Sequence, residues 1–288
     1  MEKLKGSLYV ALAAASYGVL ASIVKYANLQ GVHISLLTGG QFFFGLLILG
    51  VLQIREKKRP NIHDRKSMLL YGLSFGGTSI FYYLSLLYIP VSFAIILLMQ
   101  AIWMGVVLEI IQTKKVQIKK VLGAALAILG TLFAADIFNV NTRIHPQGIL
   151  FGLLAAMSYT CNMYASNRVA TNTGNLTRSF YFILGGSIAV SAYWNLDLLQ
   201  HFEWKHFLYW GIPLALFGTI IPPILFTIGM PKIGTGLGGI VSSFEIPVSL
   251  ACAYYLLDES LNTFQWVGVL IILISIVLIN LNKKGRTN

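Results

Sequence analysis

Long apolar runs, separated by short polar or turn-forming segments, recur along the whole chain. Ten can be placed, near 6–27, 33–54, 68–88, 91–111, 121–138, 148–168, 178–196, 207–230, 234–257 and 264–282. Each is about as long as a helix must be to cross a hydrocarbon core of roughly 30 Å. The third and fourth runs are separated only by Ile89-Pro90, a tight turn with proline at the start of the new helix. The first run follows Met1-Glu2-Lys3-Leu4-Lys5 and resembles a secretory signal. It continues to about residue 27 with nine more runs behind it, which predicts a retained first span. The pattern therefore predicts an all-α polytopic membrane protein of ten transmembrane helices.

Composition agrees: of 288 residues 56% are hydrophobic and 11% charged, far from the balance of a soluble domain. The net charge of +11 could suggest nucleic acid, but the charges sit in short loops between apolar runs, so no nucleic-acid partner is expected. With the N-terminus placed in the cytoplasm, 18 of the 21 Lys and Arg residues fall on the cytoplasmic side. They cluster at Lys3 and Lys5, Arg55 to Lys66, Lys114 to Lys120, Arg168 and Arg178, Lys232, and Lys283 to Arg286. Only Lys25, Arg143 and Lys205 fall outside, which predicts both termini inside. The basic runs also suit the head groups of the lipid bilayer. Cys161 and Cys252 lie within apolar runs and lack ligand or disulfide spacing, and all five histidines lie in or beside loops. No metal and no cofactor is expected, and the sequence carries no signal for an oligomeric state.

The chain repeats itself. Residues 6–17, GSLYVALAAASY, match residues 148–159, GILFGLLAAMSY, at seven of twelve positions, including Ser16/Ser158 and Tyr17/Tyr159. Each match opens a group of five spans, so residues 1–140 and 146–288 are expected to be repeats. An odd number of spans per repeat gives the two halves opposite orientations, an architecture of secondary transporters with the site near the midplane. Small residues coinciding in packed helices are the alternative explanation of the match.

The second half carries a further pattern: Pro247-Val248, an apolar stretch ending in Asp258-Glu259, then Gln265-Trp266-Val267-Gly268. In this, and in its five-plus-five layout, the chain resembles the EamA-type transporters of the drug/metabolite transporter superfamily. The family usually has glycine where Asp258 stands. In the first half Ile102 replaces the expected proline, Lys114 the expected glutamate, and Gln41 a frequent arginine. The resemblance implies a multi-pass carrier of the cell (inner) membrane, often an exporter, of small metabolites such as amino acids or drug-like compounds. It also implies a central cavity lined by spans one, three, four, six, eight and nine.

The stretch Gly234–Leu257 reads as one helix with Glu245 near the bilayer midplane. A carboxylate there is costly unless it faces protein or water, and is a functional candidate by default. It is expected to bind a substrate amine or a proton; a structural bond to a neighbouring helix is the alternative. Ser242, Glu245 and Ser249 would form a polar stripe on one helix face. Gln100 lies 145 residues earlier at the corresponding depth of the fourth span, and Trp103 is three residues on. Together they could supply a polar handle and an apolar wall, with lipid-facing packing the alternative for Trp103. Tyr82, Asn162 and Gln41 complete the candidate substrate-binding set; an interfacial belt explains Tyr82 equally, and helix-to-helix bonding explains the amides. Pro222, Pro223 and Pro247 are candidate hinges, because proline removes a backbone donor. Glu109 and Lys25 are expected to snorkel to the interfaces without a role.

Gly234-x-Gly236-x-x-Gly239 fits the dinucleotide fingerprint, yet it follows a basic loop rather than a strand, so close helix packing explains it better. The chain also lacks a Walker motif. The expected function is secondary transport by alternating access, with proton coupling through Glu245. An uncoupled facilitator is the alternative within transport. A membrane enzyme acting on lipid-linked substrates is disfavoured, because one central carboxylate and no intramembrane histidine make a poor acid–base set.

Overall fold

A computed structural model describes residues 2–56, 60–136, 145–256 and 261–281. Arg143, the 57–59 run (Lys57, Lys58, Arg59), Leu257, Asp258, Glu259 and the terminal Lys283, Lys284 and Arg286 lie outside the described residues. The described chain is helical, with no strand. Its helices are α1 (Glu2–Leu29), α2 (Ile34–Gln53), α3 (Ile62–Leu86), α4 (Val91–Leu98), α5 (Ala101–Thr113), α6 (Ile118–Ala134) and α7 (Pro146–Arg168). They continue as α8 (Asn175–Gln200), α9 (Trp204–Leu214), α10 (Ile221–Ile233), α11 (Thr235–Ser242), α12 (Glu245–Leu256) and α13 (Thr263–Asn280). A π-helical turn, Ala215–Ile220, joins α9 to α10.

Among the described residues, eight helical stretches are long and apolar enough to cross a membrane. Three of them join shorter helices: 93–113, 204–233 and 235–256. The other two helices are α6, which has 17 residues, and α3, whose first turn carries His63, Asp64, Arg65 and Lys66. Side-chain caps define several starts. His33 Nδ1 accepts from Ser35 N, Asn61 from Asp64 N, and Asn262 and Gln265 form a reciprocal capping box.

Two apolar cores hold the bundle. One joins α2, α3, α8 and α9, with Phe42, Met68, Phe75, Phe182, Leu214 and Trp210. The other joins α1, α5, α7, α10 and α11, with Val10, Ile102, Met163, Phe226, Leu237 and Ile240. The helices α3 and α8 approach at backbone distance. A methyl group at Gly185 would lie 2.3 Å from the Leu69 carbonyl oxygen. Small residues permit such contact in lipid, where packing rather than water exclusion drives association. Apolar side chains such as Leu270, Ile274, Val277 and Leu281 remain exposed on α13 and the residue that follows it.

The N-terminus, the α2–α3, α5–α6 and α7–α8 connections and the end of α10 share one end of the bundle, which we call the basic end. Side chains tie it together: Lys232 bridges to Glu2 at 2.9 Å, and both Glu56 oxygens accept from the first backbone N–H groups of α8 (Leu176 at 3.1 Å, Thr177 at 2.9 Å). Arg178 is only 1% exposed, yet among the described residues it has no carboxylate partner. Its guanidinium donates to the carbonyls of Ala165, Ser166, Val169 and Thr227, three of them at the end of α7. That places a cation on the negative end of a helix dipole. At the opposite end the His33 and His201 rings stack 3.9 Å apart.

Replacing Gly185 by Val should overpack the α3–α8 contact and destabilise the fold by about 1–3 kcal/mol. A fall in the thermal unfolding temperature of purified protein would show it. A second prediction concerns pH. Burial, then the facing His201, holds the His33 pKa below its ordinary value, while Asp197 opposes the shift. A base with a depressed folded pKa contributes stability that is complete above its unfolded value and lost as pH falls through the ordinary histidine range near 6.5. Protonated Nδ1 also cannot accept from Ser35 N. The melting temperature should therefore drop modestly between pH 7.5 and 5.5 (about one unit either side of the reference histidine value). His33→Asn, which keeps a cap but does not titrate, should flatten that slope.

Candidate functional site

The single helix expected over Gly234–Leu257 is in fact two helices, which meet at Ser243-Phe244 immediately before Glu245. Proline supplies the reason. Pro247 has no N–H for the Ser243 carbonyl four residues back, and Ile246 N takes that carbonyl instead at 3.1 Å. The turn tightens, and Pro247 falls in the first turn of α12, where a missing donor costs little. The polar stripe is corrected accordingly. Ser242 ends α11 and is 1% exposed, whereas Glu245 opens α12 and Ser249 turns back onto the Ile246 carbonyl at 3.0 Å.

The fourth span breaks at the equivalent place. Between α4 and α5, Gln100 N bonds to Leu97 O at 3.0 Å and Ile102 N to Met99 O at 3.0 Å. No proline accounts for this break. Gln100 sits at the start of α5, but its amide is occupied locally: Nε2 donates to Ile96 O at 3.0 Å and Oε1 accepts from Trp103 Nε1 at 2.9 Å. Trp103 is 42% exposed and shares its helix face with exposed Val107 and Ile111, one and two turns on. It stands on an outward apolar stripe, where it does not meet Glu245 in a shared wall.

Glu245 is half-buried, and among the described residues no ion pair or hydrogen bond engages its carboxylate. Tyr17 of α1, Tyr82 of α3 and Tyr159 of α7 lie within electrostatic reach of it. Tyr17 and Tyr159 meet edge to face at 6.3 Å, and Phe226 of α10 lies 5.9 Å from Tyr17 and 6.5 Å from Tyr159. The Tyr159 hydroxyl, beside Ser242, is buried and makes no hydrogen bond of normal geometry. The backbone of α12 sits against α1, where a methyl group at Gly18 would lie 2.6 Å from Glu245 O. A carboxylate without a counter-ion among aromatic rings is suited to a cation or a proton.

The remaining candidates separate from this cluster. Asn162 is 4% exposed, and it bonds Ser74 Oγ at 2.5 Å and Thr78 Oγ1 at 3.0 Å, tying α7 to α3. Gln41 is buried against the π-helical turn; its backbone carbonyl accepts from Thr219 Oγ1 at 2.9 Å. Pro222 and Pro223 open α10 just after that turn. They deprive the Gly218 and Thr219 carbonyls of their usual donors, and the wider turn absorbs the defect. Tyr17 and Phe226 were not singled out by sequence, although Tyr17 is the repeat partner of Tyr159. A cavity of about 220 Å³ lies apart, at the basic end, lined by Gln53, Glu56, Arg65, Thr177 and Tyr181 among others. No group of three or more His, Cys, Asp or Glu side chains placed to hold a metal occurs among the described residues.

Comparison with known proteins adds the family. An uncharacterized transporter of Archaeoglobus fulgidus is 24% identical over 273 residues, covering 95% of both chains. The uncharacterized transporter YetK of Bacillus subtilis is 23% identical over 296 residues, covering 96% of this chain and 87% of its own. A solved crystal structure superposes with a TM-score of 0.78 at 16% identity, covering 96% of this chain and 98% of the other, and shares the fold. The EamA-like transporter family model matches twice, over residues 4–135 and 146–281. The chain is a multi-pass membrane transporter and belongs to the EamA-like transporter family.

Proposed function

We propose that the protein is a secondary carrier that exports a small metabolite, an amino acid or drug-like compound bearing an amine, across the cell (inner) membrane by alternating access. The substrate amine meets Glu245, and Tyr17, Tyr82 and Tyr159 with Ser242 form the surrounding wall. The observation that carries this reading is the Glu245 carboxylate, unpartnered among the described residues, at a broken helix and within electrostatic reach of three tyrosines. Such carboxylates mark substrate or proton pathways in membrane bundles. A proton and an amine compete for the same oxygens, so each substrate cation that leaves is exchanged for protons.

The architecture we assign is ten spans in two inverted halves, 1–140 and 146–288, with both termini cytoplasmic. The packing supports it. The pairing of α1 with α10 is matched by that of α7 with α3, and α2 with α9 by α8 with α3. The helices α2 and α8 pack on each other, as do α6 and α13, about the position a two-fold axis would take. The basic end then faces the cytoplasm, as the positive-inside rule requires.

Flux into proteoliposomes tests the reading. Glu245→Gln should lower the flux or binding of an amine substrate by about tenfold or more, as expected when a charge-assisted contact of about 1.5–3 kcal/mol is lost. It should also remove the dependence of flux on an imposed pH gradient. Lost flux with an intact pH response would assign Glu245 to binding and leave coupling elsewhere. Flux through wild type that ignores the gradient would favour an uncoupled facilitator, and unaltered behaviour of the variant would overturn the site.

A further inference from the structure

Glu109, expected to snorkel, does otherwise. Its Oε1 takes a hydrogen bond from Lys120 of α6, and its Oε2 accepts from Gly236 N, in the first turn of α11, at 2.8 Å. Both side chains of the pair are largely buried. One residue back along the chain, Thr235 Oγ1 accepts from Asn167 Nδ2 of α7 at 3.0 Å. Four elements (α5, α6, α7 and α11) thus converge on the start of one half-helix at the basic end. Below them, α5 and α11 touch at backbone distance. A methyl group at Gly236 would lie 3.2 Å from Val106 Cα and 2.6 Å from Glu109 Oε2, and one at Gly239 would lie 3.3 Å from Ile102 Cα. The glycines of the apparent dinucleotide fingerprint make this contact.

The opposite end is built differently. If the halves are inverted repeats, α5 corresponds to α12 and α11 to α4, so the packed pair α5–α11 has α12–α4 as its counterpart. No comparable packing joins α4 to α12; α4 leans on α7, and α12 on α1. The site at Glu245 lies between the closed pair and the parted one. We propose that Glu109, Lys120, Asn167 and the first turn of α11 form a latch that holds the cytoplasmic end of the transport path shut. The structure is then a state of the carrier closed at its cytoplasmic end. This inference rests on the carrier reading above.

The latch has definite mechanical content. Opening the cytoplasmic end requires α5 and α11 to part. That breaks the bond between Glu109 and Gly236 N, pulls Thr235 of α11 from Asn167 of α7, and exposes Gly236 and Gly239, while Lys120 holds Glu109 in place on the α5–α6 side. The charge pair therefore biases the equilibrium between the two end states without touching substrate, and its members act as positioning residues.

The test uses the full chain in proteoliposomes with Cys161→Ala and Cys252→Ala, and Ile102→Cys as reporter. Ile102 is buried on α5, about two helical turns from Glu109 towards the site. A membrane-impermeant maleimide is applied from each side. The parent should label slowly from the basic side. Glu109→Gln and, separately, Asn167→Ala should each raise that rate by about tenfold or more, as a shift of a two-state population, with no rise from the opposite side. Asn167→Ala removes one neutral bond, so it decides the matter should Glu109→Gln fail to fold. Unchanged labelling in the folded variants, or an equal rise from both sides, overturns the latch. Parent flux of an amine substrate is measured in parallel. Flux with unchanged labelling sinks the latch alone, whereas one-sided labelling changes without any flux sink the carrier reading and leave the closed contact.

Discussion

The requirement that backbone N–H and C=O groups be satisfied within the segment, where hydrocarbon offers no partner, governs this structure. It explains why the described chain is helical and why departures from regular helix are so few. At the α4–α5 and α11–α12 breaks, bonds to the residue three back replace those to the residue four back. At Ala215–Ile220 a wider turn accommodates Pro222 and Pro223. Each includes buried residues, Met99, Ser243 and Thr219 among them.

The same economy applies to charge. Buried Arg178 gives its protons to four carbonyls, Glu56 caps the start of α8, and Glu109 divides its oxygens between Lys120 and Gly236 N. Each ion lost its water and gained close partners, the condition under which burying charge is tolerable. Glu245 is the exception among the described carboxylates within the bundle. The fold satisfies its other buried charged groups and leaves the Glu245 carboxylate without a partner among the described residues, which suits the proposed carrier site.

The breaks and the charges are connected. A helix interrupted at mid-depth presents two short helices that can move separately, one carrying the carboxylate and the other carrying the contact at the basic end. Here α12 carries Glu245 and rests on α1, while α11 carries Gly236 and rests on α5. The turn at Ser243-Phe244 joins the two, so Gly236 and Glu245 are separated by one short helix and this turn.

How far the chain could be read without its fold follows from the range of the forces involved. Helical spans and the clustering of basic residues are set by hydropathy and charge at each position, so they were legible in the sequence. The prolines were read as hinges within single spans, whereas in the fold new helices, α10 and α12, begin at them. Partners were not legible. Nothing in the sequence placed Tyr17 and Phe226 against Tyr159, turned Trp103 outward, gave the Asn162 amide to Ser74 and Thr78, or joined Glu109 to Lys120 and Gly236. Nor did it show a break at Met99-Gln100, where no proline stands. A helix has one face towards lipid and another towards its neighbours, and in an apolar solvent both are apolar. Only the approach of other helices decided which side chains would meet.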